Sequence, residues 1–317
     1  MTITADDVKA RAAELAFIAC GVTDPAPTAH ASELDDWLAR GYAGTMRYLH
    51  RQARRRKDPR VIMPEAKSVV VVLDNYYSGI SGGDESIPPR VAKYAQGEDY
   101  HAVTTGRLDE LAAFLRQNGA TLTRTFADAG PVPERELARR AGLGWIGKNT
   151  MLIRPGTGSF FFIGSIFTDL ALPTDRPFEM DRCGSCTRCL DACPTGAFVA
   201  PRVLDATRCI SYLTIEQKGP IPDELAERLE GYVFGCDICN DVCPWNERFA
   251  APTAVAEFRP QGRLDGMDAD AFERMDEAEF DRRFAGTPFE RPGLAGMRRN
   301  FRAAFARSGR SGSGSAR

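Results

Sequence analysis

Near the start of the chain, apolar residues recur every three to four positions. Val8, Ala12, Leu15, Ala16 and Ala19 share one face of a helix expected over residues 5–20, with Thr4 and Asp7 as candidate N-terminal caps. A second helical stretch is expected over 31–50. The period then changes. KSVVVVLDN (67–75) is a continuous β-branched run between polar residues, the pattern of a strand buried on both faces. A Ser/Gly/Pro-rich loop is expected over 78–90. Leu108, Leu111, Ala112 and Leu115 restore helical spacing over 103–118, stopped by Asn118-Gly119. TLTRTF (121–126) alternates as a strand, a short helix is expected behind Pro133 over 134–141, and further strands fit 150–154 and 159–167. This alternation of helices and strands predicts an α/β or α+β sheet domain over 1–178. Over 179–250 short loops with Gly, Pro and Cys replace any periodicity. Residues 251–307 read as a polar helical extension, and 308–317 (SGRSGSGSAR) as a low-complexity, disordered tail.

Composition adds limits. The 317 residues are 43% hydrophobic and 26% charged, enough for a core and against wholesale disorder. With 41 basic and 43 acidic residues the net charge is −2, so any nucleic-acid contact has to be a local patch. The longest purely aliphatic run, 69–73, is far short of the ~20 residues of a membrane helix. MTITADDVKARAAEL at the N-terminus lacks the apolar region of a signal peptide, so a cytoplasmic protein without a membrane partner is expected.

The cysteines change the picture most. Of nine, eight lie between Cys183 and Cys243, and in a reducing compartment such density points to metal rather than disulfides. Cys183, Cys186, Cys189 and Cys193-Pro194 spell C-x2-C-x2-C-x3-C-P, the two-cluster ferredoxin run, in which the fourth thiolate reaches the other cluster. Cys236, Cys239 and Cys243-Pro244 repeat the pattern without its first member, where Val233 stands. Cys209 is the one cysteine between the runs. One [4Fe-4S] cluster then takes Cys183, Cys186, Cys189 and Cys243; the other takes Cys193, Cys209, Cys236 and Cys239. Structural zinc and plain buried thiols are the rivals, but zinc favours cysteine pairs separated by a longer loop. Cys20, at an expected helix end, is spare and reads as core. With some 180 residues ahead of the clusters, the electrons are expected to serve a site in the larger domain, as in a redox enzyme.

Other motifs are weaker. Gly142-Leu-Gly144-Trp-Ile-Gly147-Lys148 satisfies G-x-G-x-x-G, and G-x4-G-K up to Asn149. Both nucleotide readings need a strand before and a helix after, whereas a helix is expected before and a strand after. The alternatives are a tight turn with close backbone approach, or close approach to a large flat cofactor. Asp128, at a strand end before Ala129-Gly130-Pro131, is a turn-capping residue or a general acid. Six basic residues in 51–60 (RQARRRKDPR) form a solvated face or a phosphate-binding patch. Asp99-Tyr100-His101 begins like the D-x-H-x-x-G signature of histidine-ligated cobalamin proteins, but the glycine falls at 106, so the match reads as chance.

Taken together, ARRRKDPRVIMP (53–64), KYAQGEDYH (93–101), ADAGPVPERELARRAGLGWIGKNTMLI (127–153), CGSCTRCLDACPTGA (183–197), RCISYLTIE (208–216) and GYVFGCDICNDVCPWN (231–246) closely resemble the epoxyqueuosine reductase family over nearly the whole chain. The resemblance implies a cobalamin-binding sheet domain, similar to nitroreductases and reductive dehalogenases, beside a bacterial ferredoxin-like domain with two [4Fe-4S] clusters. It implies reduction of epoxyqueuosine to queuosine in a tRNA anticodon loop by base-off cobalamin in its cob(I)alamin state. The partners implied are that tRNA and an external ferredoxin- or flavodoxin-like electron donor, with the enzyme a cytoplasmic monomer. By matching positions, Asp128 is the proton donor to the epoxide oxygen and lines the cofactor with Arg56, Asn149, Leu152, Ile163 and Ser211, while Arg135 and Lys218 lie near substrate or tRNA. Ala129 stands where the family usually has Thr, and Pro133 where it has an aliphatic residue. Many relatives continue into a C-terminal helical-repeat domain that helps grip tRNA, so RNA is expected to be held here by basic patches of the core. The alternatives in other functional classes are a cobalamin-dependent reductive dehalogenase of small molecules and a non-catalytic iron–sulfur electron carrier.

Overall fold

The β-branched run forms an inner strand of a four-stranded sheet. In the computed structural model, which describes residues 3–79 and 89–305, the strands are β1 (Ala19–Thr23), β2 (Ser68–Asn75), β3 (Thr123–Ala127) and β4 (Phe161–Thr168). Their order is β1-β2-β4-β3 and every neighbouring pair is antiparallel, which makes the domain α+β. Ala19 lies opposite Leu73, Ser68 opposite Thr168 and Thr123 opposite Thr168. Successive residues of β2 bury into opposite layers, which is why the run is continuously apolar. Val70 and Val72 pack with Val8 and Ala12 of α1 (Ala5–Glu14) and Leu108, Leu111 and Leu115 of α2 (Tyr100–Gln117). Val69, Val71 and Leu73 pack with Leu137 and Ala138 of α3 (Glu134–Arg140).

Two helices expected from periodicity are shorter. α1 ends at Glu14, because Ala16 turns to φ 63° and the chain enters β1; Cys20 therefore sits on a strand, not at a helix end. The stretch 31–50 breaks into Ala31–Ala39 and Arg47–Arg51, with Ala53–Lys57 following. Gly41 and Gly44 interrupt it with positive φ, and a Cβ on Gly44 would collide with the Tyr212 hydroxyl. The tail expected over 308–317 and most of the loop expected over 78–90 lie outside the described residues.

Beyond residue 178 the chain forms short helices and hairpins around the cysteines. Tyr232–Phe234 pairs in parallel with Arg90–Val91, tying the cysteine region to the segment before α2. The helices Ala269–Arg274, Glu277–Phe284 and α4 (Gly293–Phe305) then enclose a phenylalanine core of Phe272, Phe280, Phe284, Phe289 and Phe301, which Val233 and Phe234 enter.

Candidate active site and cluster-binding region

β3 delivers Asp128 to the sheet's end in a left-handed conformation, φ 58°, rare for a residue with a Cβ. Flanking groups hold that turn. Asp128 donates its backbone N–H to Glu134 Oε1 (2.7 Å), and the Arg56 guanidinium donates to the carbonyls of Gly130 and Val132, each at 3.2 Å. The Asp128 side chain is 63% exposed, so the clamped turn presents a carboxyl outward. Tyr100 donates its hydroxyl to Asp128 Oδ2 at 2.5 Å, and His101 Nε2 lies 3.8 Å from the same oxygen. Tyr100 is itself stacked between His101 and Phe162, with ring centroids at 4.1 and 4.2 Å.

The electrostatics follow from this packing. Burial, then the Asp128 charge, pushes the Tyr100 phenol up, so it stays a donor. Burial and the Asp128 charge also push Glu134 up to about 8. Burial lowers Arg56, whose Nε is enclosed without a hydrogen-bond partner among the described residues. The His101 ring is raised by its hydrogen bond to Asp99, which also accepts the His101 backbone N–H (2.9 Å) as the N-cap of α2. Asp99 is thus the cap of the helix that carries His101. Arg291, bidentate to Glu216 at 3.0 Å, lies over the Tyr48 ring and is raised by Glu216 first and by the Asp128 charge among its lesser causes.

The thiols form two neighbourhoods. After burial, the groups that raise Cys189 are Cys183, Cys243 and Cys186, and Cys183 and Cys186 also raise Cys243. Cys209 and Cys193 raise Cys236, while Cys239 is raised by Cys236, Cys209 and, from the first group, Cys189. Cys20 stands apart on β1, where burial lifts it to about 12. Among the described residues no three His, Cys, Asp or Glu side chains converge on a single-ion site. One zinc ion with Zn–S of about 2.3 Å would need such convergence; a multi-atom cluster needs thiols held further apart.

The glycine loop follows α3 and precedes the short strand Leu152–Ile153, so neither nucleotide motif has its required context. Its glycines admit the chain's own backbone: a Cβ on Gly144 would strike the Ile153 carbonyl oxygen. Asn149, 3% exposed, donates to the Cys239 carbonyl (3.4 Å) and to Asn240 Oδ1 (3.3 Å). Leu152 is buried in the layer with Val69 and Leu73, and Ile163 lies on β4 opposite Leu73, packed against that layer. Ser211 opens the helix Ile210–Ile215 just after Cys209. Arg135 is exposed but close enough to act on Glu134 and Arg56. Lys218 is exposed in the loop after the Ser211 helix, and no described contact joins it to Asp128. Of the basic run, Arg51, Arg54 and Arg55 are exposed, whereas Lys57 pairs with Asp35 and the exposed Arg60 pairs with Asp58. Sequence reasoning missed Tyr100, Glu134 and Arg291. The first two lie inside the quoted blocks KYAQGEDYH and GPVPER; Arg291 carried no signal.

Residues 56–129 match the family described as "Epoxyqueuosine reductase QueG, DUF1730", and residues 182–246 match the "4Fe-4S double cluster binding domain". An epoxyqueuosine reductase of Cyclobacterium marinum is 42% identical over 295 residues, 92% of this chain and 94% of that protein. One of Pseudomonas aeruginosa is 41% identical over 301 residues, 93% of this chain and 83% of that protein. A crystal structure of epoxyqueuosine reductase with an epoxyqueuosine-modified tRNA-Tyr stem loop matches with a TM-score of 0.83 at 30% identity, covering 95% of this chain and 80% of that one. A Bacillus subtilis epoxyqueuosine reductase, with its catalytic aspartate loop swung out of the active site, matches at 0.81 and 29% identity, with the same coverage. Among the described residues no helix is long and apolar enough to cross a membrane. The fold, the double-cluster segment and identities near 40% over nine-tenths of the chain agree, and the chain belongs to the epoxyqueuosine reductase family of oxidoreductases.

Proposed function

We propose that this chain reduces epoxyqueuosine to queuosine in a tRNA anticodon loop, as a cytoplasmic monomer that takes electrons from a ferredoxin- or flavodoxin-like donor. In this reading residues 1–178 bind substrate and base-off cobalamin, and residues 179–250 hold two [4Fe-4S] clusters. Cys183, Cys186, Cys189 and Cys243 would ligate one cluster, and Cys193, Cys209, Cys236 and Cys239 the other. The two thiol neighbourhoods support that division, since each set raises its own members. The observation that carries the functional reading is the exposed Asp128 carboxyl on its clamped left-handed turn, with Tyr100 donating to it at 2.5 Å.

The reaction consumes two electrons and two protons per epoxide, giving an alkene and water. Asp128 would hold a proton at the carboxyl and pass it to the epoxide oxygen as the C–O bond breaks. The carboxylate left behind accepts the Tyr100 hydroxyl, and His101 lies close enough to offset its charge. Glu134 and Arg56 keep the turn in place during this transfer. Cobalamin, when bound, supplies the strongly reducing low-valent cobalt that side chains lack. The partnerless Arg56 Nε fits such a bound group, because it leaves a donor for an incoming acceptor. Asn149, Leu152, Ile163 and Ser211 would line that group, and Arg135, Lys218 and the exposed arginines of 51–60 would meet tRNA.

Asp128→Asn tests the reading. Conversion of epoxyqueuosine tRNA by the reduced, cobalamin-loaded variant is expected to fall by about 10²–10⁴-fold, the usual share of a positioned proton donor. Iron content and tRNA affinity should be those of the unsubstituted protein. A variant that converts at the full rate would refute Asp128 as the donor.

A further inference from the structure

The glycine loop resembles a nucleotide-binding motif but follows a helix and precedes a strand; its polar side chains reach into the cysteine region. Trp145 donates Nε1–H to Cys183 Sγ at 3.4 Å. Lys148 donates Nζ–H to the Gly184 carbonyl at 2.6 Å and the Cys186 carbonyl at 2.9 Å. The loop is braced from its far side by Arg202, which donates its backbone N–H to the Lys148 carbonyl (2.9 Å) and Nε–H to the Ile146 carbonyl (3.0 Å). Arg188 is paired with Glu247 and Arg202 with Asp181, whereas Arg182, next to Cys183, sits over the Phe178 ring. Lys148, among the described residues, has carbonyl partners and no carboxylate.

We propose that Lys148 and Trp145 set the reduction potential of the cluster held by Cys183, Cys186, Cys189 and Cys243, with Lys148 the main determinant. The inference rests on the ligand sets proposed above. Reducing a [4Fe-4S]2+ cluster to [4Fe-4S]1+ adds one electron and one negative charge. An uncancelled ammonium against the ligand loop favours the reduced form, and so does an N–H donated to a ligand sulfur. Both contacts therefore make this cluster a better electron acceptor.

The test is an EPR-monitored potentiometric titration of the anaerobic holoprotein with iron counted in each sample. Lys148→Gln removes the charge but keeps a donor; its reduction equilibrium for this cluster should shift about tenfold toward the oxidised form, about 59 mV for a one-electron couple. Lys148→Arg should hold the unsubstituted potential, and Trp145→Phe should shift it in the same direction by less. An unshifted potential in Lys148→Gln with eight irons overturns the inference alone. Loss of four irons in that variant also overturns it, because Lys148 is then a brace for assembly. Fewer than eight irons in the unsubstituted protein would overturn the ligand sets and the inference together.

Discussion

At the scale of residues, the decisive arrangement is a strained turn held by two side chains. A non-glycine residue in the left-handed region costs about 1–3 kcal/mol, and it persists when its surroundings over-determine it. Here Glu134 and Arg56 do so, gripping the backbone on both sides of Asp128. The grip brings Glu134 close to the Asp128 charge, and burial with that charge lifts Glu134 from 4.5 to about 8. A carboxyl raised in the folded state binds more protons there than in the unfolded chain. Its stabilising share is complete below the ordinary value near 4.5 and is lost as pH rises through about 8. Glu134→Gln keeps an acceptor for the Asp128 N–H and cannot ionise. Between pH 6 and 8 the unsubstituted protein should therefore lose stability relative to Glu134→Gln, by at most about 1.4 kcal/mol per pH unit. Urea midpoints across that range check the slope; parallel curves would show that Glu134 is ionised throughout.

Among the elements, α2 matters most to the site because its first turn carries Tyr100 and His101. Beside its leucine packing it has a polar anchor to the sheet. Asp74, fully buried on β2, accepts from Thr104 Oγ1 at 2.8 Å and from the Arg107 guanidinium. Asp74→Ala would strand a nearly buried guanidinium, which costs about 3–5 kcal/mol, whereas Asp74→Asn keeps an acceptor and should cost clearly less. Chemical unfolding of both variants measures the difference. Elements of this kind were legible in the sequence where one periodicity ran long enough: β2 through its β-branched run, α2 through Leu108, Leu111 and Leu115. β1 was not, since ACGVT extends the small-residue pattern of α1 and only the left-handed Ala16 separates them. The site was half legible for a related reason. Asp128 stood out beside its Gly-Pro turn, but its partner Tyr100 lies 28 residues earlier and meets it only because α2 packs on the sheet. Arg291 comes from a segment whose residues read as polar extension and whose core depends on widely spaced phenylalanines.

On the scale of the whole molecule, α4 bears on how the broken ferredoxin motif would be completed. Val233 occupies the position of the missing cysteine and is fully buried in the phenylalanine core, so no sulfur reaches the cluster from there. Asn300 on α4 donates to the Val233 carbonyl at 2.8 Å and to the Thr214 carbonyl at 2.7 Å, and Arg299 donates to the Leu213 carbonyl at 2.9 Å. α4 thereby fastens the strand leading to Cys236 beside the helix that follows Cys209, two segments far apart in sequence. The Cys209 thiol is consequently near enough to be raised by Cys193 and to raise Cys236, in the neighbourhood where the proposed second cluster would need a fourth ligand. Removing it should abolish one cluster and spare the other, whose proposed ligands Cys183, Cys186, Cys189 and Cys243 lie outside the region α4 fastens. Cys209→Ala is therefore expected to retain about half of the iron and one EPR-active centre, with the helical C-terminal core intact by hydrogen exchange. Were Cys209 only a buried thiol, its replacement would leave the iron content unchanged, and the strand at Val233 would have no partner to complete the cluster.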